Sequence, residues 1–208
     1  MVFGYSFSLQ QYVGSKLKVH KLRVVSQEWF YAMQTITDEL LDIVDTRDRV
    51  LGSLSRGEIH RKGLMHRSVH VLVFDGGGSI LLQKRSMEKD QCAGMWDSSC
   101  AGHVEAGQEY EITATRELQE ELGIAPSGEL KLLFKMSPTV SNGQEFAMVY
   151  SMMHEGPFVA APDEIDELRW YTVAEVDNWV GVSTAADTSV EQDLTSGFIE
   201  IWNRYRNR

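Results

Sequence analysis

GHVEAGQEYEITATRELQEELGI, running from Gly102 to Ile124, decides how the rest of the chain is read. On a helix of 3.6 residues per turn with Glu117 at zero, Glu120 falls near −60° and Glu121 near +40°, while Ala114, Leu118 and Leu122 gather about 100° away. Three carboxylates therefore share one helix face beside an apolar stripe. Like charges one turn apart destabilise a helix by ~0.2–0.5 kcal/mol per pair, a modest cost that a bound cation would reverse. The preceding loop carries the small pairs Ala101-Gly102 and Ala106-Gly107, which let backbone approach a ligand closely. Carboxylates of this kind supply hard oxygen ligands to Mg²⁺ or Mn²⁺, and magnesium prefers one or two carboxylates together with substrate phosphates. The spacing thus points to a diphosphate met through a metal ion.

The whole chain fits that chemistry. Its 208 residues are 43% hydrophobic and 24% charged, enough for one α/β domain with a short appendage. A formal charge of −10 argues against holding a nucleic-acid polymer by counterion release, although a cation can still stand between an acidic protein and an anionic substrate. Cys92 and Cys100 stand in no metal-binding or disulfide spacing and read as inert thiols, which makes a reducing compartment the expectation. The start, MVFGYSFSLQ, has no signal-like basic and apolar pattern, and no apolar run approaches the ~18 residues of a membrane span. A cytoplasmic protein without membrane partners is expected.

Outward from the carboxylate helix, predicted over Glu109 to Leu122, alternation and turn residues mark the other elements. Leu41–Asp45 and Val50–Gly52 read as a hairpin, Ser55–Lys62 as a short helix stopped by Gly63, and Arg67–Asp75 and Ile80–Arg85 as strands around Gly76-Gly77-Gly78. Residues between Arg85 and Glu109 read as an irregular loop. Strands follow near Lys131–Lys135, Phe146–Met152 and Leu168–Tyr171, with the acidic run Pro162–Glu167 as a solvated turn. Thr172 and Glu175 form a capping box, and Phe198, Ile201, Trp202 and Tyr205 mark a terminal helix packed on the core. Residues 1–38 read as an extension of unknown role, with Lys16, Lys18, Lys21 and Arg23 alternating with apolar residues and Met33 as a second candidate start; the main domain is 39–208.

The quoted stretch resembles the Nudix box, G-x5-E-x7-R-E-U-x-E-E-x-G-U with U a bulky aliphatic residue, at eight of nine defined positions. At roughly one residue type in fifteen per exact position, such a match arises by chance in fewer than about one chain in a hundred thousand. The resemblance implies a Nudix-type α/β/α sandwich, with a mixed sheet between helices and the box as a loop-helix-loop metal site. It further implies a Mg²⁺- or Mn²⁺-dependent hydrolase cleaving a nucleoside diphosphate linked to another moiety, or a related organic diphosphate, by water attack at phosphorus. Metal ligands would be Glu117, Glu120 and Glu121; Glu120, Glu121, Arg116 and Glu145 would serve catalysis, Arg116 by orienting the loop and glutamates. Arg85, Lys84, Gly102 and His103 would meet the small-molecule diphosphate substrate, and a homodimer is left open. Gln108 departs from the box glutamate and subtracts one ligand or loop anchor.

Arg56, His60, His66, His70, the LLQKR run, Gly94-Met95-Trp96-Asp97 and Ala101-Gly102-His103 look like the branch related to type I isopentenyl-diphosphate isomerase. That likeness implies a rival activity, allylic isomerisation, and a metal site of histidines and glutamates to which His60, His66, His103 and Glu145 correspond in part. The isomerase pattern has a cysteine acid/base directly before Gly-His. Here Ala101 stands there, and Cys100, one residue earlier on an extended segment, should point away. His60, His66 and His70 otherwise read as structural, and Trp96 as packing. A catalytically silent ligand-binding domain is the third reading, raised by Gln108.

Overall fold

The computed structural model describes residues 39–126, 128, 130–184 and 193–208. The alternating basic stretch and Met33 lie outside the described residues. The elements are β1 (Leu40–Val44), β2 (Val50–Ser55), α1 (Arg56–Lys62), β3 (His66–Phe74), β4 (Ile80–Arg85), β5 (Trp96–Asp97), β6 (Cys100–His103), α2 (Tyr110–Leu122), β7 (Lys131–Lys135), β8 (Glu145–Met153), β9 (Ile165–Tyr171), α3 (Val173–Thr184) and α4 (Ser196–Arg206).

β3 is the centre of a mixed seven-stranded sheet and explains why its sequence is apolar almost throughout. It pairs in parallel with β8 along its whole length, from His66↔Glu145 to Phe74↔Met153. Its other edge meets β6 antiparallel through Ser68↔His103 to Val71↔Cys100, then β4 at Phe74↔Ile80. Val69, Val71 and Val73 pack with Ala114, Leu118 and Leu122 of α2 on one face. Leu72 and Phe74 pack with Val176 and Val180 of α3 and Phe198, Ile201 and Trp202 of α4 on the other. The result is the α/β/α sandwich that the sequence implied.

Local chemistry sets the boundaries. Ser55 caps α1 and Gly63 ends it at φ 61°, while Gly123 ends α2 at φ 66°, a conformation that favours glycine. The Thr172–Glu175 box is reciprocal: Glu175 N–H donates to Thr172 Oγ1 at 3.2 Å, and Glu175 Oε2 accepts from Thr172 N at 2.7 Å. Two expectations need correction. The Arg85–Glu109 loop contains β5 and β6, short strands held by pairing to β4 and β3 rather than by their own alternation. The acidic run is a turn only to Glu164; Ile165–Glu167 begins β9 and pairs with Lys84 and Arg85.

The β1–β2 hairpin clamps the loop before α2. Ala106 N–H donates to Leu40 O at 2.8 Å, and Gly107 N–H to the buried Asp42 Oδ2 at 2.9 Å. Asp48, in the hairpin turn, gathers Arg67 (2.6 Å), the Tyr110 hydroxyl (2.9 Å) and Lys135. Burial pushes its carboxyl up, but the hydrogen bonds from Lys135, Arg67 and Tyr110 outweigh burial and leave it below its ordinary value. Removing one member of such a set strands the other charges, so Asp48→Ala should lose about 3–5 kcal/mol in urea denaturation. Because the folded pKa is depressed, this contribution is present above the unfolded carboxylate pKa and lost as pH falls through the folded one. The loss between pH 6 and pH 3 should be smaller in Asp48→Ala than in the parent protein.

Candidate functional site

Where β3 and β8 begin and β6 ends, the sheet opens into a cavity of ≈520 Å³. Strand register brings the first residues of β3 and β8, His66 and Glu145, side by side, and sets His103 of β6 opposite Ser68. His60 reaches in from α1. The ligand atoms of His60, His66, His103 and Glu145 all lie within 4.8 Å of one another. Glu145 Oε1 is 3.6 Å from both His66 Nε2 and His103 Nε2, and His60 Nε2 is 3.3 Å from His66 Nε2. His60 and His66, read in the sequence as structural and, through the isomerase-branch resemblance, as partial counterparts of metal ligands, stand in this four-residue candidate cluster; His60, His103 and Glu145 line the cavity, and His66 is fully buried.

The outward nitrogens of these rings are already engaged. His66 Nδ1 lies 2.9 Å from Leu64 O, which requires an N–H there and leaves the lone pair on Nε2. His103 Nδ1 faces Glu39 Oε2 at 3.7 Å, and His60 Nδ1 meets the Gln91 side-chain amide at 3.2 Å. Carbonyl and carboxylate partners of this kind take a ring N–H and orient the other nitrogen of His66 and His103, as they do for metal-ligating imidazoles, whereas the Gln91 amide nitrogen donates to His60 Nδ1 and places the His60 proton on Nε2, facing His66. Burial pushes the His60 ring down to about 4, with the neighbouring His103 and Arg56 adding to it. Burial also opposes a charge on His103, but Glu145 and Glu39 outweigh it and raise that ring to about 9. Glu145, raised by burial, is brought well below its ordinary range by His103 and His66. Three imidazoles and a carboxylate converging on one point fit a divalent cation.

The box glutamates approach from the opposite face of the sheet. Glu117 packs directly on Gly102, where an added Cβ would stand 2.1 Å from its Oε1. Glu121, 4% exposed, accepts from Ala101 N–H at 3.2 Å and the Gln83 amide at 3.1 Å. Burial raises Glu117 to about 8, with Glu121 adding repulsion, and burial raises Glu121 to about 7. Glu120 is more than half exposed and is held by Arg116 at 2.6 Å. The three carboxylates do not form a second closed ligand set among the described residues. Arg116, off this face by helical arithmetic, folds back to bind Glu117 (2.8 Å), Glu120 and the His103 carbonyl (3.3 Å).

Gln108 keeps the anchoring half of the role that its position suggested. Its amide nitrogen donates to Glu105 at 2.9 Å and its oxygen accepts from Thr113 at 3.1 Å, tying the loop to α2. Arg85 lines the cavity, its guanidinium 3.3 Å from the Gln91 carbonyl; Lys84, its neighbour on β4, is not among the lining residues. Gly102 and His103 line it as well. Trp96 packs edge-on against Tyr171 and Trp179. Sequence reading passed over Glu39, Gln91 and Ser98, which act on the site only through pairings distant in the chain.

Residues 64–189 match the NUDIX domain family. The chain belongs to the Nudix family. Within it, the chain is 30% identical over 174 residues to the isopentenyl-diphosphate Delta-isomerase of Serratia proteamaculans, a match covering 80% of this chain and 97% of that one. It is 34% identical over 147 residues to an uncharacterized Nudix hydrolase of Yersinia pestis, covering 66% and 75%. The crystal structure of DR0079 from Deinococcus radiodurans shares the fold at TM-score 0.68 and 23% identity, over 80% of this chain and 98% of that one. No helix among the described residues is long and apolar enough to cross a membrane.

Proposed function

We propose that this Nudix protein is a metal-dependent hydrolase of an organic diphosphate, such as a nucleoside diphosphate linked to another moiety. The observation that carries this reading is one cavity joining the His60–His66–His103–Glu145 set to the buried pair Glu117 and Glu121 across the side-chain-free Gly102. The imidazole-rich set suits a first-row transition ion and the box glutamates with substrate oxygens suit Mg²⁺; Mn²⁺, the transition ion named from sequence, is a hard cation that accepts imidazole beside oxygen ligands. Such ions would polarise a phosphoryl oxygen and acidify a bound water. Arg116 orients Glu117 and Glu120; Glu121, fixed by the Ala101 N–H and the Gln83 amide, takes a proton; and Arg85 holds a phosphate at the cavity wall. Glu145 completes the ligand set that the histidines begin.

Allylic isomerisation is the second reading, favoured by the match along nearly the full length of a protein named as that isomerase. Against it, the residue before Gly102-His103 is Ala101, and Cys100 is fully buried among Val71, Leu118 and Leu122. Burial and then the nearby Glu121 and Glu117 push its thiol well above its ordinary value, so it stays a protonated thiol on the α2 side of the sheet, away from the histidine cluster. Mass-spectrometric product analysis decides the matter. The protein with Mg²⁺ and Mn²⁺ should cleave a nucleoside diphosphate sugar, a dinucleotide cofactor or another organic diphosphate into two phosphate-bearing products, and Glu121→Gln should not. Rearranged isopentenyl diphosphate in an otherwise intact panel would establish the isomerase, and no change anywhere would favour a silent binding domain.

A further inference from the structure

Beyond the metal-ligand cluster the cavity continues along β3. Alternate residues of that strand share a face about 7 Å apart; His66 belongs to the cluster, and Ser68 and His70 line the cavity beyond it. Ala101 stands across from His70 and Ala147 beside Ser68, so the floor is low. The first turn of α4, Ser196 and Gly197, lines the same cavity; Thr195 takes the Phe198 and Ile199 N–H groups, and helix geometry leaves those of Ser196 and Gly197 without intrahelical acceptors. A Cβ at Gly197 would meet nothing within 4 Å among the described residues.

Two polar groups in this lobe lack a use within the fold. The Ser68 hydroxyl, on a residue 3% exposed, has no hydrogen-bond partner among the described residues. Buried hydroxyls are nearly always paired, so one left over in a cavity wall calls for a partner from outside. His70, 9% exposed, has Nδ1 2.7 Å from Ser98 Oγ, which lies 3.3 Å from Asp97 Oδ1. With the Ser98 hydroxyl donating to Asp97 and accepting from Nδ1–H, the His70 Nε2 lone pair is left as an acceptor at the cavity.

We infer that this lobe, lined by Ser68, His70 and the first turn of α4, is a subsite for a hydroxyl-bearing, sugar-like group on the organic side of the diphosphate. The inference rests on the organic-diphosphate reading and deepens it. A hydrocarbon chain in the lobe would leave Ser68 and His70 dry and unpaired, whereas a hydroxylated group satisfies both and can accept from the helix amides. Sites built to hydrogen-bond a substrate hydroxyl reject analogues that lack it.

Isothermal titration of the full chain in Mn²⁺ tests this, with ADP-ribose, UDP-glucose, isopentenyl diphosphate and methyl diphosphate as probes. At least one sugar-bearing probe should bind about tenfold more tightly than isopentenyl or methyl diphosphate. Ser68→Ala should weaken that probe about tenfold and leave methyl diphosphate within about twofold; Gly197→Trp, which fills the lobe, should do the same. The subsite is overturned if isopentenyl diphosphate binds as tightly, if neither sugar-bearing probe exceeds methyl diphosphate, or if Ser68→Ala shifts all probes alike or none. Binding is read apart from cleavage. A selective, Ser68-dependent complex that is never hydrolysed would sink the hydrolase and keep the subsite, and cleavage without that selectivity would do the reverse.

Discussion

Gly102→Ala is expected to lower diphosphate turnover about a hundredfold or more while the protein remains folded. The new methyl would stand 2.1 Å from Glu117 Cδ and Oε1 and 2.7 Å from its Cγ, so the carboxylate must swing away. That movement breaks the 2.8 Å contact with Arg116 and takes Glu117 from the cavity. Misplacing a positioning group by about 1 Å costs on the order of 10²-fold. The residue is in β6 without a positive φ, so alanine brings no backbone strain and the circular dichroism spectrum should be unchanged. Turnover within about threefold of the parent would show that Glu117 is not needed where it stands.

His66→Ala should reduce Mn²⁺ affinity by about 100-fold or more, read by titration of the metal without substrate. Losing even an outer partner of a ligand costs 10–100-fold, and His66 is a ligand candidate whose Nε2 is oriented by the Leu64 carbonyl. Glu145→Gln should act in the same direction, because it removes the anion 3.6 Å from both His66 and His103. Unchanged Mn²⁺ affinity in His66→Ala would assign the four-residue cluster to structure. The box variant Glu120→Gln should affect this titration far less, since Glu120 projects to solvent beside Arg116.

The local parts of this protein were legible from sequence and the non-local parts were not. The helix at Tyr110–Leu122 carries its own periodicity and a glycine stop, and β3 and β4 carry apolar runs around a glycine turn. β6, by contrast, is a Cys-Ala-Gly-His segment with no pattern of its own; pairing with β3 makes it a strand. The candidate metal-ligand cluster was named only in part, through the isomerase-branch resemblance, and its geometry lay outside what the sequence carries. His60, His66, His103 and Glu145 come from a helix and three strands, and only the parallel register of β3 with β8 and the antiparallel register with β6 bring them together. Arg116 shows the limit of wheel arithmetic, which places a Cα and not the end of a long side chain. Gln108 shows the limit of motif arithmetic, because an amide can anchor a loop through two bonds where a carboxylate only accepts.

The most direct test of the hydrolase reading is the fate of oxygen when the protein, supplied with Mg²⁺ and Mn²⁺, turns over an organic diphosphate in ¹⁸O-labelled water. One ¹⁸O atom per cleavage should enter a single phosphate-bearing product, with none released by Glu121→Gln. A substrate that keeps its diphosphate unlabelled while its organic part rearranges would contradict the account.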